Sequence, residues 1–188
     1  MKESKCVMLG DSSVGKSSVM YRFVRNIFYD TIPCIPEGIF YRDPLKINNE
    51  SIKFQMWDTV GQERFRSLNK YYYKNAQFVV IVFDVNDQKS FDNVRYWFQQ
   101  QQQFTLNSAV IIVGNKIDLL TREVTIKQGE DLANELECQY IKCSAKTGQN
   151  IIEIFEKIGR IWLSKPQCKE IETPILQKQE ESSQKSCF

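Results

Sequence analysis

The chain has 188 residues, a length that suits one domain of ordinary size with a tail, and its 42% hydrophobic content is enough for a full core. A formal net charge of +2 without a lysine–arginine block argues against a nucleic-acid surface, so we expect no nucleic-acid partner. The lack of histidine excludes histidine triads and histidine metal sites, and six cysteines without CxxC spacing indicate a reducing, cytoplasmic setting.

Short β-branched runs alternate with amphipathic stretches along the chain. The candidate strands are CVMLG (6–10), SIKFQMWD (51–58), QFVVIVFD (77–84), AVIIVGN (109–115) and YIKC (140–143). Several are apolar throughout, as expected of strands that are covered on both faces. The alternation predicts a doubly wound α/β sheet that binds ligands beyond the carboxyl ends of its strands.

Helical periodicity follows most of these strands. Val19 and Phe23 lie four apart after a glycine-rich loop, Ser90 opens a second helical segment, and residues 150–163 carry the clearest apolar stripe. The glutamines at 99–103 read as the solvated end of a helix, with a partner-binding tract as the alternative. We predict a folded domain over residues 1–164 and a disordered tail over 165–188, because the tail is rich in Gln, Lys, Glu and Ser.

The motif GDSSVGKS, residues 10–17, follows the first strand and precedes a helix. Its glycines let the backbone wrap phosphates, Lys16 reaches the β- and γ-phosphates, and the Ser17 hydroxyl coordinates Mg²⁺. A glycine-rich turn with a chance lysine is the alternative. The predicted nucleotide contacts from this segment are Asp11, Ser12, Ser13, Val14, Gly15, Lys16, Ser17 and Ser18.

The base is indicated by NKID at 115–118. The Asp118 carboxylate can accept two hydrogen bonds from guanine, whereas adenine lacks the exocyclic amine and would leave this acceptor partly unsatisfied. Asn115 can hold the loop and the purine edge, and the Lys116 stem can cover one ring face. The motif alone is weak, but the loop Ser144, Ala145 and Lys146 follows the next strand and offers N–H groups to guanine O6.

The motif WDTVGQERF, residues 57–65, closes the third strand. Asp58 is placed to hold Mg²⁺ through a water, the Gly61 N–H can meet the γ-phosphate, and Gln62 would orient the attacking water. An ordinary exposed glutamine is the alternative for Gln62.

With these motifs, residues 5–164 resemble the small GTPases of the Ras superfamily, and the Rab family within it. GDSSVGKSS, WDTVGQERFR, YYKNA, IVFDVNDQKSF, GNKIDL and CSAK all look Rab-like. The resemblance implies a P-loop small GTPase fold with a six-stranded, mostly parallel sheet and five helices. It also implies GTP and GDP binding with Mg²⁺, GTP hydrolysis, and two switch regions that meet effectors, exchange factors and GTPase-activating proteins in vesicle traffic. Phe28 sits where the family places an aromatic ring against guanine, with a core phenylalanine as the alternative.

The first switch departs from the family pattern. Rabs usually carry a threonine there that binds Mg²⁺, but the chain reads TIPCIPEGIF at 31–40, which puts Cys34 or, without a gap, Ile35 in its place. Neither side chain is a hard oxygen ligand. Thr31 lies three or four positions early, and Pro33 and Pro36 stiffen the segment. Val60, in place of the usual alanine, should restrict the second switch.

Three functional hypotheses follow from this departure. The first is a hydrolysing switch with a divergent first switch, the second is a GTP-binding adaptor that hydrolyses poorly, and the third is another P-loop protein such as a kinase. The resemblance also implies prenylation of a terminal cysteine. Here Cys187 is next to last in KSCF, which is not a CaaX box, so it is a lipidation candidate with a free thiol as the alternative. A lipid there would place a cytoplasmic protein peripherally on the cytosolic face of endomembranes.

Overall fold

A computed structural model describes residues 2–31, 39–58, 74–105 and 107–165. These ranges contain seven strands and five helices. In chain order they are β1 (Lys2–Leu9), α1 (Lys16–Arg25), β2 (Ile39–Tyr41), β3 (Leu45–Ile47), β4 (Glu50–Trp57), β5 (Phe78–Asp84), α2 (Gln88–Asp92), α3 (Val94–Gln102), β6 (Ala109–Asn115), α4 (Ile126–Glu135), β7 (Gln139–Lys142) and α5 (Ile151–Ser164).

The strands form one sheet in the order β2-β4-β1-β5-β6-β7, and β3 also pairs with β4. The five strands β4, β1, β5, β6 and β7 run parallel, while β2 and β3 are antiparallel to β4. The predicted α/β fold with a mostly parallel sheet is therefore confirmed. The five predicted strands all form, each within a few residues of its predicted bounds.

The edge of the sheet is broken into two short strands. Tyr41 pairs with Gln55 and Leu45 pairs with Ile52, so between these pairs three residues on one side lie opposite two on the other. One extra residue is the signature of a β-bulge, and Pro44, which has no N–H to donate, lies in this interruption. Since both pieces pair with β4, the seven strands occupy the six strand positions implied by the family resemblance.

Apolar side chains cover the sheet on both faces. One cluster joins the sheet to α1 and α5 and includes Phe23 and Phe155, whose rings stack with centroids 3.5 Å apart. The other joins the sheet to α3 and α4 and includes Trp97. Every residue of β5 is buried, which explains the uninterrupted apolar run in its sequence. Because β1, β4, β5 and β6 run in one direction, the loops that follow them meet at a single edge of the sheet.

Two local features differ from expectation. Helix α4 was not predicted from periodicity, although Thr125 and Gln128 form a complete capping box, which is a readable start signal in TIKQ. The glutamine tract does form the end of α3, but Gln101 is buried rather than solvated. Its Oε1 accepts hydrogen bonds from the hydroxyls of Thr105 (2.6 Å) and Ser108 (3.3 Å), so this glutamine anchors the loop that leads into β6.

Candidate nucleotide-binding site

The loop between β1 and α1 is closely packed at its glycines. Gly10 has φ +134°, and a Cβ there would overlap the carbonyl oxygen of Val82. Gly15 has φ +95°, and a Cβ there would overlap the Asn115 amide. Glycine is thus required for conformation and for space at both positions, as the motif predicts. The loop lies directly against the ends of two neighbouring strands, β5 and β6.

Lys16 crosses the mouth of this loop. Its ammonium donates to the carbonyl oxygens of Gly10 (3.0 Å) and Asp11, and the residue is 7% exposed. A cation held at the start of α1 by loop carbonyls is well placed to attract phosphate. Val14 is buried beside it, Ser18 is half-buried, and Ser12 and Ser13 are exposed on the outside of the loop.

The Asp11 side chain is held by α3 and the residue that caps its start. Its two carboxylate oxygens accept from Trp97 Nε1 (2.8 Å) and Asn93 Nδ2 (2.6 Å). Trp97 is 5% exposed, so one of these bonds is shielded from water. The motif predicts only the backbone role of Asp11, since a partner more than 80 residues away leaves no local signal.

Asn115 joins the phosphate loop to both predicted base loops. Its Nδ2 donates to the carbonyl oxygen of Val14 (3.0 Å), and its Oδ1 accepts from the Ala145 N–H (3.1 Å) and the Cys143 thiol (3.5 Å). Burial, with a smaller contribution from the charge of Asp118, raises the pKa of the Cys143 thiol, which keeps it protonated and able to donate. The predicted loop-holding role of Asn115 is therefore visible in its contacts.

Asp118 is oriented by Ser144. The Ser144 hydroxyl donates to Asp118 Oδ1 (2.5 Å) and accepts from the Thr147 N–H (3.0 Å). Ser144 is fully buried. A carboxylate with one oxygen fixed in this way presents the other in a defined direction, which a planar purine edge requires.

Lys116 is held by a residue that the sequence analysis did not select. Its ammonium lies 2.7 Å from Asp84 Oδ2, at the end of β5. Asp84 Oδ1 accepts from the backbone and side-chain amides of Asn86, and Asn86 Nδ2 also donates to the Lys116 carbonyl. Lys116 has φ +68°, in the left-handed region, so this network stabilises a backbone conformation that lysine rarely adopts.

A cavity of about 160 Å³ opens between these loops. Two residues that were not predicted, Asp30 and Leu119, line it. The other lining residues are seven of the predicted nucleotide-binding residues: Ser18, Phe28, Asn115, Lys116, Asp118, Ala145 and Lys146. Phe28 is half-buried, packs against the core and lines the cavity. The packing agrees with a core phenylalanine, and a contact of its ring with guanine stays a prediction.

The two predicted metal ligands are both nearly buried, each 8% exposed. Ser17 lies in the first turn of α1 and Asp58 directly follows β4. Burial, and after it the charge of Asp58, raises the pKa of Tyr21, which is one helical turn beyond Ser17. The carboxylate is thus close enough to this face of α1 to act on it electrostatically.

Several predicted residues lie outside the described ranges. These are Cys34 and Ile35 of the first switch, Val60, Gly61 and Gln62 of the second, and Cys187 of the tail. Their predicted roles stay predictions.

Comparison with known proteins agrees with this geometry. The Ras family model matches residues 5–163. The Ras-related protein SEC4 of Saccharomyces cerevisiae is 39% identical over 158 residues, which cover 84% of this chain and 74% of SEC4. The Ras-related protein RABF2b of Arabidopsis thaliana is 40% identical over 84% of this chain and 80% of its own length, and the GTP-binding protein ypt2 of Schizosaccharomyces pombe is 39% identical over 83% and 79%. The chain therefore belongs to the Rab family of small GTPases, GTP-hydrolysing members of the Ras family.

Proposed function

We propose that this chain binds GTP and GDP with Mg²⁺, hydrolyses GTP slowly, and so acts as a Rab-like switch that recruits effectors in vesicle traffic. One observation carries the proposal. Asn115 hydrogen-bonds to the phosphate loop through Val14 and to the base loop through Ala145, and it lines a cavity together with Ala145 and with Ser18 of α1. A ligand with a phosphate chain at one end and a purine at the other fits this arrangement.

Guanine is the base that fits the fixed polar groups. The Asp118 carboxylate, held by Ser144, matches paired N–H donors, which guanine has and adenine lacks. Phe28 and the stem of Lys116 lie among the cavity-lining residues and supply apolar surface for the two ring faces. The loop that carries Ala145 and Lys146 supplies the N–H side of the site, with the Lys146 N–H as its donor to the base.

The chemistry of Ser17 and Asp58 fits Mg²⁺. Both are hard oxygen donors, and no cluster of three or more acidic or cysteine side chains that could hold a metal occurs among the described residues. Magnesium typically takes one or two protein oxygens and completes its shell with phosphate oxygens and water. When bound, it would neutralise charge that develops on the transferring phosphoryl group. Ser17 and Asp58 would hold it, and Lys16 would bind the β- and γ-phosphates.

The composition of residues 31–40 favours a second candidate function, a GTP-binding adaptor that hydrolyses poorly. Cys34 or Ile35 replaces the threonine expected to bind Mg²⁺, and thiol or alkyl groups do not substitute for a hard oxygen. Gln62 still supplies a side chain to orient water in the first function. The two functions share the nucleotide site and differ in turnover.

Single-turnover GTP hydrolysis separates them. Wild type, Gln62→Leu and the exposed control Gln103→Leu are loaded with GTP and followed with Mg²⁺ and with a chelator. If the chain is a hydrolysing switch, wild type and the Gln103→Leu control should hydrolyse GTP clearly faster than Gln62→Leu, and only in the presence of Mg²⁺. Equal hydrolysis rates in all three proteins would exclude the switch and favour the adaptor. Preferential binding of ATP over GTP would overturn both proposed functions.

Membrane association is proposed through the tail. Within the described residues, no helix is long and apolar enough to cross a bilayer. We infer a lipid on Cys187 and a location on the cytosolic face of endomembranes, with residues 1–164 as the GTP-binding domain and 165–188 as the tail. Exchange factors, effectors and GTPase-activating proteins would bind the switch regions. Intact mass spectrometry from native cells tests the lipid, and an unmodified mass would overturn it.

A further inference from the structure

Arg22 in α1 reaches the loop that follows β7. Its Nε donates to the Ala145 carbonyl (2.8 Å), its Nη2 to the Lys146 carbonyl (2.6 Å), and its Nη1 to the Asn26 carbonyl (3.0 Å). All three guanidinium nitrogens are therefore engaged. The acceptors are uncharged carbonyl oxygens, so the contribution of Arg22 here is geometric and does not consist of an ion pair.

These contacts fix two successive peptide planes. In a trans peptide the C=O and the following N–H point in opposite directions. Because Arg22 holds the Ala145 carbonyl, it also sets the direction of the Lys146 N–H. The neighbouring N–H groups are engaged, Ala145 with Asn115 and Thr147 with Ser144. Among the described residues, the Lys146 N–H has no hydrogen-bond partner, and Lys146 lines the cavity.

We propose that Arg22 is a positioning residue for guanine recognition, which acts by aiming the backbone N–H of Lys146 at O6 of the base. The inference rests on the proposed guanine-nucleotide function. It adds a link within α1, whose first turn carries Lys16 and Ser17 at the phosphate end and whose last turns carry Arg22 at the base end. One rigid helix thus positions both ends of the site.

A lysine cannot replace this arginine. Its ammonium is a point donor, whereas the planar guanidinium offers a fork that holds two carbonyls at once. Arg22→Lys keeps the charge and most of the stem and loses the fork, and Arg22→Met loses both charge and fork. Arg25 lies one turn further along α1 and is exposed, so Arg25→Met and Arg25→Lys are matched controls.

The test measures dissociation constants of three diphosphates by competition against a fluorescent GDP. GDP carries every base contact. Inosine diphosphate keeps O6 and lacks the exocyclic amine, and 6-thio-GDP keeps the amine and replaces O6 by sulfur, a weak acceptor. Thermal unfolding at saturating GDP, run in parallel, shows whether each variant is folded.

We expect Arg22→Met to weaken GDP and inosine diphosphate binding by about tenfold each, because a hydrogen-bonded positioning contact of a charged group is lost. The weakening should shrink to about twofold or less with 6-thio-GDP, since that ligand has little O6 contact to lose. Arg22→Lys should show the same pattern at smaller amplitude, and it decides the matter if Arg22→Met does not fold. The Arg25 variants should bind all three ligands as wild type does.

Equal weakening for all three ligands would overturn the positioning role, because a merely structural defect does not distinguish O6 from sulfur. Arg22 variants that match the Arg25 controls would overturn it too. Failure of the proposed function is a separate result, seen in wild type as absence of GDP binding.

Discussion

Replacing Asn115 by alanine tests whether the nucleotide site is built before the nucleotide arrives. The substitution removes the amide that donates to Val14 and accepts from Ala145 and Cys143. Asn115 is 1% exposed, Val14 1% and Ala145 3%, so the two backbone groups that lose their partner lie away from solvent.

The cost follows from these two orphaned groups. An unsatisfied buried donor or acceptor costs about 1–3 kcal/mol, and two would cost about 2–6 kcal/mol. Water that enters the space left by the amide can recover part of this cost. We therefore expect Asn115→Ala to lower the free energy of unfolding by about 2–4 kcal/mol, a large share of a typical domain's stability.

Urea unfolding at a series of GDP concentrations measures this cost apart from the loss of nucleotide contacts. Above the dissociation constant, each tenfold rise in GDP adds about 1.4 kcal/mol to any protein that binds it only when folded. At low GDP, the difference in the free energy of unfolding between wild type and Asn115→Ala reports the loss of the three contacts. Any increase of this difference at saturating GDP reports a loss of GDP affinity. Asn134→Ala, an exposed asparagine in α4, is the control. Equal stability of the two variants without GDP would refute the reasoning.

Two further predictions concern buried polar groups. Ser4 is 2% exposed, and its hydroxyl has no hydrogen-bond partner in the described part of the chain. Ser4→Ala should therefore raise the free energy of unfolding by about 1 kcal/mol. Urea denaturation measures this change, and a lower free energy of unfolding in the variant would contradict the prediction. Burial, with smaller effects of Cys143 and Glu130, raises the pKa of Tyr140 from 10.0 to about 12. The folded state therefore keeps the phenol proton at a pH where the unfolded state has lost it, and the folded state loses this advantage as the pH rises from about 10 to 12. Between pH 9 and 11, the free energy of unfolding of wild type should therefore fall by about 1 kcal/mol more than that of Tyr140→Phe, after a discount for partial exposure. The same fall in both proteins would contradict this prediction.

The elements that the sequence predicts are those with strong local signals. The strands are recognisable because burial on both faces selects continuous β-branched runs. The phosphate loop is recognisable because Gly10 and Gly15 meet the chain so closely that no other residue fits. The break between β2 and β3 is a register shift against a distant strand, and Pro44 is its only local trace.

The supporting contacts of the site were not predictable in the same way. Asp11 meets Trp97 and Lys116 meets Asp84, pairs separated by 86 and 32 positions along the chain. Single sequences carry no periodicity for such pairs, because each residue type is ordinary where it stands. The motif residues are restricted in type because they contact a ligand of fixed shape. The residues that support them only have to place a hydrogen-bonding or charged group within contact distance.

On the proposed function, guanine binding and the response to the γ-phosphate draw on different parts of the chain. The contacts that unite the phosphate loop, Asn115 and the Ala145–Lys146 loop come from described residues of α1, β6 and the loop after β7. On the proposed function, the divergence of residues 31–40 bears on the metal and the γ-phosphate, because Cys34 or Ile35 stands where a threonine is expected to bind Mg²⁺. Sensitivity to GTP over GDP needs a group that meets the γ-phosphate or its metal, since GDP fills the rest of the site equally well. We therefore propose that the divergence of residues 31–40 bears on how strongly the bound nucleotide is reported, while recognition of guanine rests on Asn115, Asp118 and the loop that Arg22 holds.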